Sequence, residues 1–156
     1  MQRKNMIVKK VIRNASALKI GIVMSEYYAD VITEKLLSGA LDVLQEWKVL
    51  QKNIIIVRVP GCFEIPYGCI TLLKQKKVDA IITLGCIVKG ETEHDRYIAS
   101  SVSQGIIDLT VAYKTPITFG MLTVNTLAQA KARSTGEHNK GKEAARAALT
   151  MAFLKK

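Results

Sequence analysis

The densest chemistry lies in ten consecutive residues, Gly85-Cys86-Ile87-Val88-Lys89-Gly90-Glu91-Thr92-Glu93-His94. An apolar run leaves through two glycines toward a helix, so backbone N–H groups around Gly90 and the Thr92 hydroxyl can face an anion near a helix N-terminus. A simple tight turn is the alternative, and the segment is neither a Walker loop nor G-x-G-x-x-G. His94, one of two histidines, stands among Glu91, Glu93 and Asp95. An imidazole there can carry protons near neutral pH; a solvated helix-end histidine is the other reading. His138, beside Asn139 and Lys140, reads as a loop histidine.

Three other segments carry reactive or recognising groups. In Pro60-Gly61-Cys62-Phe63-Glu64, followed by Ile65-Pro66, the glutamate falls in the first turn of a helix. There it caps its own helix or accepts hydrogen bonds from a polyol. Tyr27 and Tyr28 close Ser25-Glu26-Tyr27-Tyr28, an aromatic pair that stacks a flat heterocycle or packs as a lid. Arg133, Lys140 and Lys142 precede the last helix as a phosphate clamp or a solvated charge run. Cys86 reads as a nucleophile or as a small inert residue ending a buried strand.

These residues need elements to hold them. Four continuous Ile- and Val-rich runs, 18–24, 54–59, 78–84 and 116–122, have the character of strands buried on both faces. Between them Ile32, Leu36, Leu37, Ala40, Leu41, Leu44 and Trp47 recur at helical spacing, as do Ile65, Cys69, Leu72 and Leu73, and then Ile98, Val102, Ile106 and Leu109. Helices over 127–133 and an Ala-rich 144–154, capped by Asn139, complete the chain. Alternating strands and helices predict right-handed crossovers and a parallel sheet between helix layers. Ligands of such sheets collect beyond the carboxyl ends of the strands. The loops to watch are therefore 25–28, 60–64, 86–94 and the turn after Phe119.

Composition narrows the class. At 156 residues, 49% hydrophobic and 23% charged, the chain is one globular domain, with residues 1–17 as a basic arm and 18–156 as the folded body. Its formal net charge of +10 favours anionic partners, but the 6% of aromatic residues do not interleave with the basic ones, which argues against nucleic acid. The sequence has neither a signal-peptide pattern nor a long apolar run, so no membrane partner is expected. In the arm, Val8, Val11 and Ile12 read as a short strand for docking a partner, a transit peptide being the alternative. Cys62, Cys69 and Cys86 are odd in number and lack metal-ligand spacing, which fits a reducing compartment, the cytoplasm by default.

Four motifs then occur in order: V-P-G-C-F-E-I-P from Val59, L-G-C-I-V-K-G-E-T-E-H from Leu84, P-I-T-F-G from Pro116 and N-K-G-K-E-A-A from Asn139. Together, over nearly the whole chain, they resemble the lumazine synthase family. The resemblance implies a flavodoxin-like three-layer α/β/α sandwich with a central four-stranded parallel sheet. It also implies condensation of 5-amino-6-ribitylaminouracil with 3,4-dihydroxy-2-butanone 4-phosphate, giving the lumazine, phosphate and water without cofactor or metal.

Carried over residue by residue, the resemblance makes His94 the catalytic histidine. It assigns Gly90, Glu91, Thr92, Phe119 and Arg133 to the phosphorylated butanone. Tyr27, Tyr28, Gly61, Cys62, Phe63, Glu64, Cys86, Ile87, Val88 and Lys140 go to the pyrimidine and its ribityl chain, and Glu143 becomes an acid orienting the arginine. It implies a homopentamer with sites between subunits, the aromatic loop from one and the His94 loop from the other, and the arm joining a neighbour's sheet. A decamer, a sixty-subunit capsid and a riboflavin synthase partner are further associations the family suggests. Two departures stand out. Glu26-Tyr27-Tyr28 replaces the usual R-F-N tripeptide in a loop one residue longer, and Ser-Thr-Gly-Glu-His follows Arg133 where capsid formers carry Gly-Thr-Lys-Ala-Gly.

The rival readings are an archaeal-type riboflavin synthase, which lacks this motif combination, and a shell or assembly protein of the same fold with reduced catalysis. The altered first loop supports the second rival, and intact His94, Glu64 and Arg133 oppose it.

Overall fold

A computed structural model describes residues 11–154. The four apolar runs form parallel strands β1 (Ile20–Ser25), β2 (Ile54–Val59), β3 (Ala80–Val88) and β4 (Ile117–Val124). They pair in the order β2-β1-β3-β4. This is the doubly wound arrangement whose direction reverses between β1 and β3, the point at which loops diverge and leave a crevice.

Side-chain alternation sorts the strands between two cores. Ile20, Ile22 and Met24 of β1, with Ile82, Leu84 and Cys86 of β3, pack under helices α1 (Glu34–Glu46) and α5 (Lys140–Leu154). Val23, Ile81, Ile87 and Met121 face the opposite layer, α2 (Ile65–Gln75) and α3 (His94–Tyr113). A short α4 (Leu127–Ala132) precedes α5; its Thr126 and Gln129 form a reciprocal capping box. Asn139 caps α5 as read from sequence, its Oδ1 accepting from the N–H groups of Gly141 and Lys142.

The structure corrects several boundaries. β3 runs four residues past the expected end, so Cys86, Ile87 and Val88 finish a strand instead of opening a loop. β4 continues to Val124, which puts Phe119 in mid-strand opposite Thr83 and not at a strand-end turn. Val8 lies outside the described residues. Val11 and Ile12 are exposed and in no strand, and by Ala15, whose N–H donates to the Trp47 carbonyl at 2.8 Å, the chain has joined the body. Among the described residues no helix is long and apolar enough to cross a membrane.

Candidate active site

Because β1 and β3 are adjacent and parallel, the loops after them open at one edge of the sheet. There they enclose a cavity of about 470 Å³ with the loop after β2. Tyr27 and Tyr28 come from the first loop, Gly61, Cys62, Phe63 and Glu64 from the second, and Cys86, Ile87, Val88, Gly90, Thr92 and His94 from the third. One chain therefore brings the aromatic loop and the His94 loop together, correcting the expectation that they come from different subunits.

The first loop is tied down at its base. The Glu26 N–H donates to the Val59 carbonyl at 2.8 Å and the Tyr27 N–H to that of Pro60 at 3.1 Å. Tyr28 then takes a left-handed backbone, φ 63° and ψ 26°. That conformation is unfavourable for a bulky side chain and persists only where the surroundings impose it. A π-helical turn, Ala29–Thr33, comes next, and in it the Thr33 N–H reaches back to the Tyr28 carbonyl at 3.1 Å. The extra residue recognised in this loop is thus compatible with a wider helical turn. The two rings meet edge to face, and burial beside Tyr27 and Cys86 holds the Tyr28 phenol above its ordinary pKa.

In the second loop Cys62–Glu64 form one 3-10 turn leading into α2. Glu64 occupies the cap position of α2 but makes no side-chain cap bond. Its carboxylate lies over Gly61, where a Cβ would come within 3.0 Å of Oε2. The helix-cap reading is therefore set aside, and the exposed carboxylate is free to accept hydroxyl hydrogen bonds. Cys62 is buried, with its Sγ 3.8 Å from the Cys86 carbonyl oxygen. A Cβ at residue 85 would sit 2.5 Å from that sulfur, which is why glycine interrupts β3 at this level.

The third loop begins at Lys89, whose N–H donates to the Val124 carbonyl at 2.8 Å. A Cβ on Gly90 would meet nothing within 4 Å and Gly90 has no positive φ, so neither packing nor a left-handed turn explains the glycine. Its bare backbone is open to ligand. The Thr92 hydroxyl accepts from the His94 N–H at 3.4 Å at the start of α3, and His94 is exposed in that first turn. Burial pushes the Cys86 thiol up to about 11, so it is protonated near neutral pH and the nucleophile reading is set aside.

Two further lining residues, Asp95 and Ile98, stood in the sequence only as a neighbour of His94 and as part of a helical repeat. Ile98 lies four positions beyond His94 on α3, and that spacing alone puts both on one helix face. Asp95 gives the cavity a second carboxylate beside Glu64.

The remaining expected residues stand elsewhere. Glu91 is exposed outside the cavity lining, and Phe119 lies within the edge strand β4. Arg133 is exposed at the end of α4; its carbonyl accepts from the Lys140 N–H at 2.8 Å, which closes a loop between the two cations. Glu143 pairs with Lys140, Nζ to Oε1 2.7 Å. Glu143 also borders a second hollow, about 750 Å³, between α5 and Trp47. Among the described residues no lysine or arginine lines the first cavity. Among the described residues no group of three or more His, Cys, Asp and Glu is arranged to hold a metal ion.

Comparison with known proteins gives this geometry its context. The family profile described as 6,7-dimethyl-8-ribityllumazine synthase matches residues 17–156. Among curated relatives of that name, the Parabacteroides distasonis protein is 45% identical over 139 residues, covering 88% of this chain and 86% of its own. The Flavobacterium psychrophilum protein is 47% identical over 148 residues, covering 94% and 78%. The Porphyromonas gingivalis protein is 47% identical over 140 residues, covering 89% and 86%. With the profile covering nearly the whole described chain and these relatives 45–47% identical, the chain belongs to the 6,7-dimethyl-8-ribityllumazine synthase family, enzymes of riboflavin biosynthesis.

Proposed function

We propose that the cavity at the β1–β3 crevice is where the pyrimidine and the phosphorylated butanone condense, and that a neighbouring subunit completes it. The observation carrying this reading is the composition of the lining: three aromatic rings, two carboxylates and one imidazole, with no lysine or arginine among the described residues. A dianionic phosphate in such a site would be uncompensated, and buried or half-buried charge needs a partner. Arg133, Lys140 and Phe119 lie outside the cavity of their own chain, so they serve the cavity of the next one.

In this reading the face of Tyr27 stacks the pyrimidine, and Glu64 accepts hydroxyl hydrogen bonds from the ribityl chain. Gly61, Cys62 and Phe63 shape that edge, and Cys86, Ile87 and Val88 form the floor. Gly90, Glu91 and Thr92 offer donors to the departing phosphate, and Arg133 offers its charge. Imine formation, phosphate elimination and ring closure each relocate a proton, and His94, within reach of both substrates, carries it. Lys140 approaches the pyrimidine with Glu143 holding its ammonium. The assembly is a homopentamer, and it works in the cytoplasm, where three free thiols suit the reducing conditions. Exposed Tyr97, Ile107 and Val111 on α3 supply apolar surface for subunit contact.

Mixing two impaired variants tests the shared site. Chains carrying His94→Ala and chains carrying Arg133→Ala are refolded together; random assembly gives about a quarter of interfaces an intact His94 facing an intact Arg133. Lumazine formation, followed by absorbance, should rise well above either parent. Activity that stays at the parents' average would place both residues in one subunit's site and reject the reading.

A further inference from the structure

We infer that Asn139 is a positioning residue for the reaction, the side chain that fixes Arg133 and Lys140 relative to α1. The inference rests on the assignment of those two cations to substrate. Asn139 is buried, 5% exposed, and its amide uses both ends. Nδ2 donates to the Lys35 carbonyl on α1 at 2.9 Å and to the Ser134 carbonyl at 2.7 Å. Oδ1 accepts from the N–H groups of Gly141 at 2.8 Å and Lys142 at 3.3 Å. One side chain thereby joins three elements separated by 104 residues of sequence.

The bonds surround the cations. Arg133 and Ser134 are consecutive, as are Asn139 and Lys140, so the Lys140 N–H to Arg133 carbonyl bond and the Asn139 to Ser134 bond form two rungs closing the same loop. Ser134 is itself buried, its hydroxyl donating to the Lys131 carbonyl at 3.0 Å. On the other side α1 makes room: a Cβ at Gly39 would fall 2.5 Å from the Asn139 amide. Without the amide, Arg133 would project from a loop free to splay, and positioning error at a charged contact is read directly in affinity. A cap alone needs only the acceptor; the two donor bonds are what a cap does not explain.

The donor bonds and the cap can be separated. Asn139→Asp keeps an acceptor for the α5 N-terminus but turns a carboxylate oxygen toward two carbonyls. Gly39→Ala leaves every polar group in place and pushes the amide from the α1 side. Both variants, with Arg133→Ala alongside, are assayed for KM of each substrate, kcat, assembly and melting. We expect each to raise KM for the phosphorylated butanone about tenfold through Arg133, and KM for the pyrimidine only about threefold through Lys140, whose ammonium Glu143 also holds.

Equal effects on the two substrates, or no effect from folded variants, would overturn the inference. So would loss of assembly by both, since Asn139 would then be scaffold. If Arg133→Ala itself leaves the butanone KM unchanged, the assignment of the cation has failed. If it raises that KM and the Asn139 and Gly39 variants do not, the positioning role has failed alone.

Discussion

The Tyr27 and Tyr28 rings meet at 86° with centroids 4.8 Å apart. The two residues do different work although they are neighbours. Both line the cavity, but Tyr28 is partly buried against the core that α1 covers, while Tyr27 is 64% exposed. Tyr27→Ala should therefore raise KM for the pyrimidine about tenfold, since stacking adds roughly 0.5–1.5 kcal/mol to the buried area. The same variant should melt within a few degrees of wild type. Tyr28→Ala should lower the melting temperature more and affinity less. Fluorescence titration with a ribityllumazine analogue, alongside calorimetry, would expose the reverse order.

Arg133→Ala removes the charge from the contact proposed for phosphate. Hydrogen bonds to charged groups contribute roughly 1.5–3 kcal/mol, so KM for the phosphorylated butanone should rise about 10- to 100-fold. KM for the pyrimidine should stay near its wild-type value. A parallel rise for both substrates in steady-state kinetics would remove Arg133 from the phosphate site.

His94→Ala tests proton transfer. General acid–base assistance contributes about 10²–10⁴-fold. These condensing groups react without a catalyst, and the remaining cavity still aligns them. The variant should thus keep a measurable rate, lowered mainly in kcat. Sedimentation should show the wild-type assembly and circular dichroism the wild-type fold. An unchanged kcat would make His94 a bystander at the mouth of the cavity.

The buried thiols make stability depend on alkaline pH. Burial pushes Cys69 up to about 12 from 9.0. Below pH 9.0 the thiol is protonated in both folded and unfolded chains and its contribution is intact. Between 9.0 and about 12 only the unfolded chain ionises, so stability falls by about 1.4 kcal/mol per pH unit from this group. Cys69→Ala lacks that loss. Its deficit against wild type in urea melts should shrink as pH rises from about 9.5 to about 10.5. A constant deficit would show that the thiol ionises as readily in the folded chain.

The strands were legible because their Ile and Val runs are continuous, and Ile54–Val59 begins and ends where its run does; the expected burial on both faces holds for β1 and fails for β2, an edge strand with exposed Ile56 and Arg58. The end of β3 was obscured by Gly85, which reads as a turn until the Cys62 sulfur that needs its space is known. Phe119 was misplaced for a related reason. Gly120 after it reads as a turn, whereas a Cβ there would meet the Thr83 backbone, so the pairing of β4 with β3 needs the glycine.

Most of the cavity could be foreseen from the rule that parallel strands deliver their loops to one edge. Asp95 and Ile98 escaped as lining residues because their relation to His94 depends on where α3 begins. The four bonds of Asn139 were half visible. The cap is local and has a sequence signature, whereas nothing near residue 139 marks the carbonyl of Lys35. Glu143 was assigned by likeness to a role beside the arginine, while spacing along α5 favoured Lys140, three residues back.

The π-turn before α1 also governs how the chain tolerates a change of length. A residue inserted into a regular helix rotates everything beyond it by about 100°. Here that would carry Leu36, Ala40, Val43 and Leu44 out of the core they fill. At Ala29–Thr33 the backbone already runs in a wider turn, which takes up a change of one residue before α1 enters the core. The aromatic loop can thus be lengthened or trimmed by one residue there without re-registering the helix behind it. That makes this loop the natural place to insert or delete residues when redesigning what the cavity accepts.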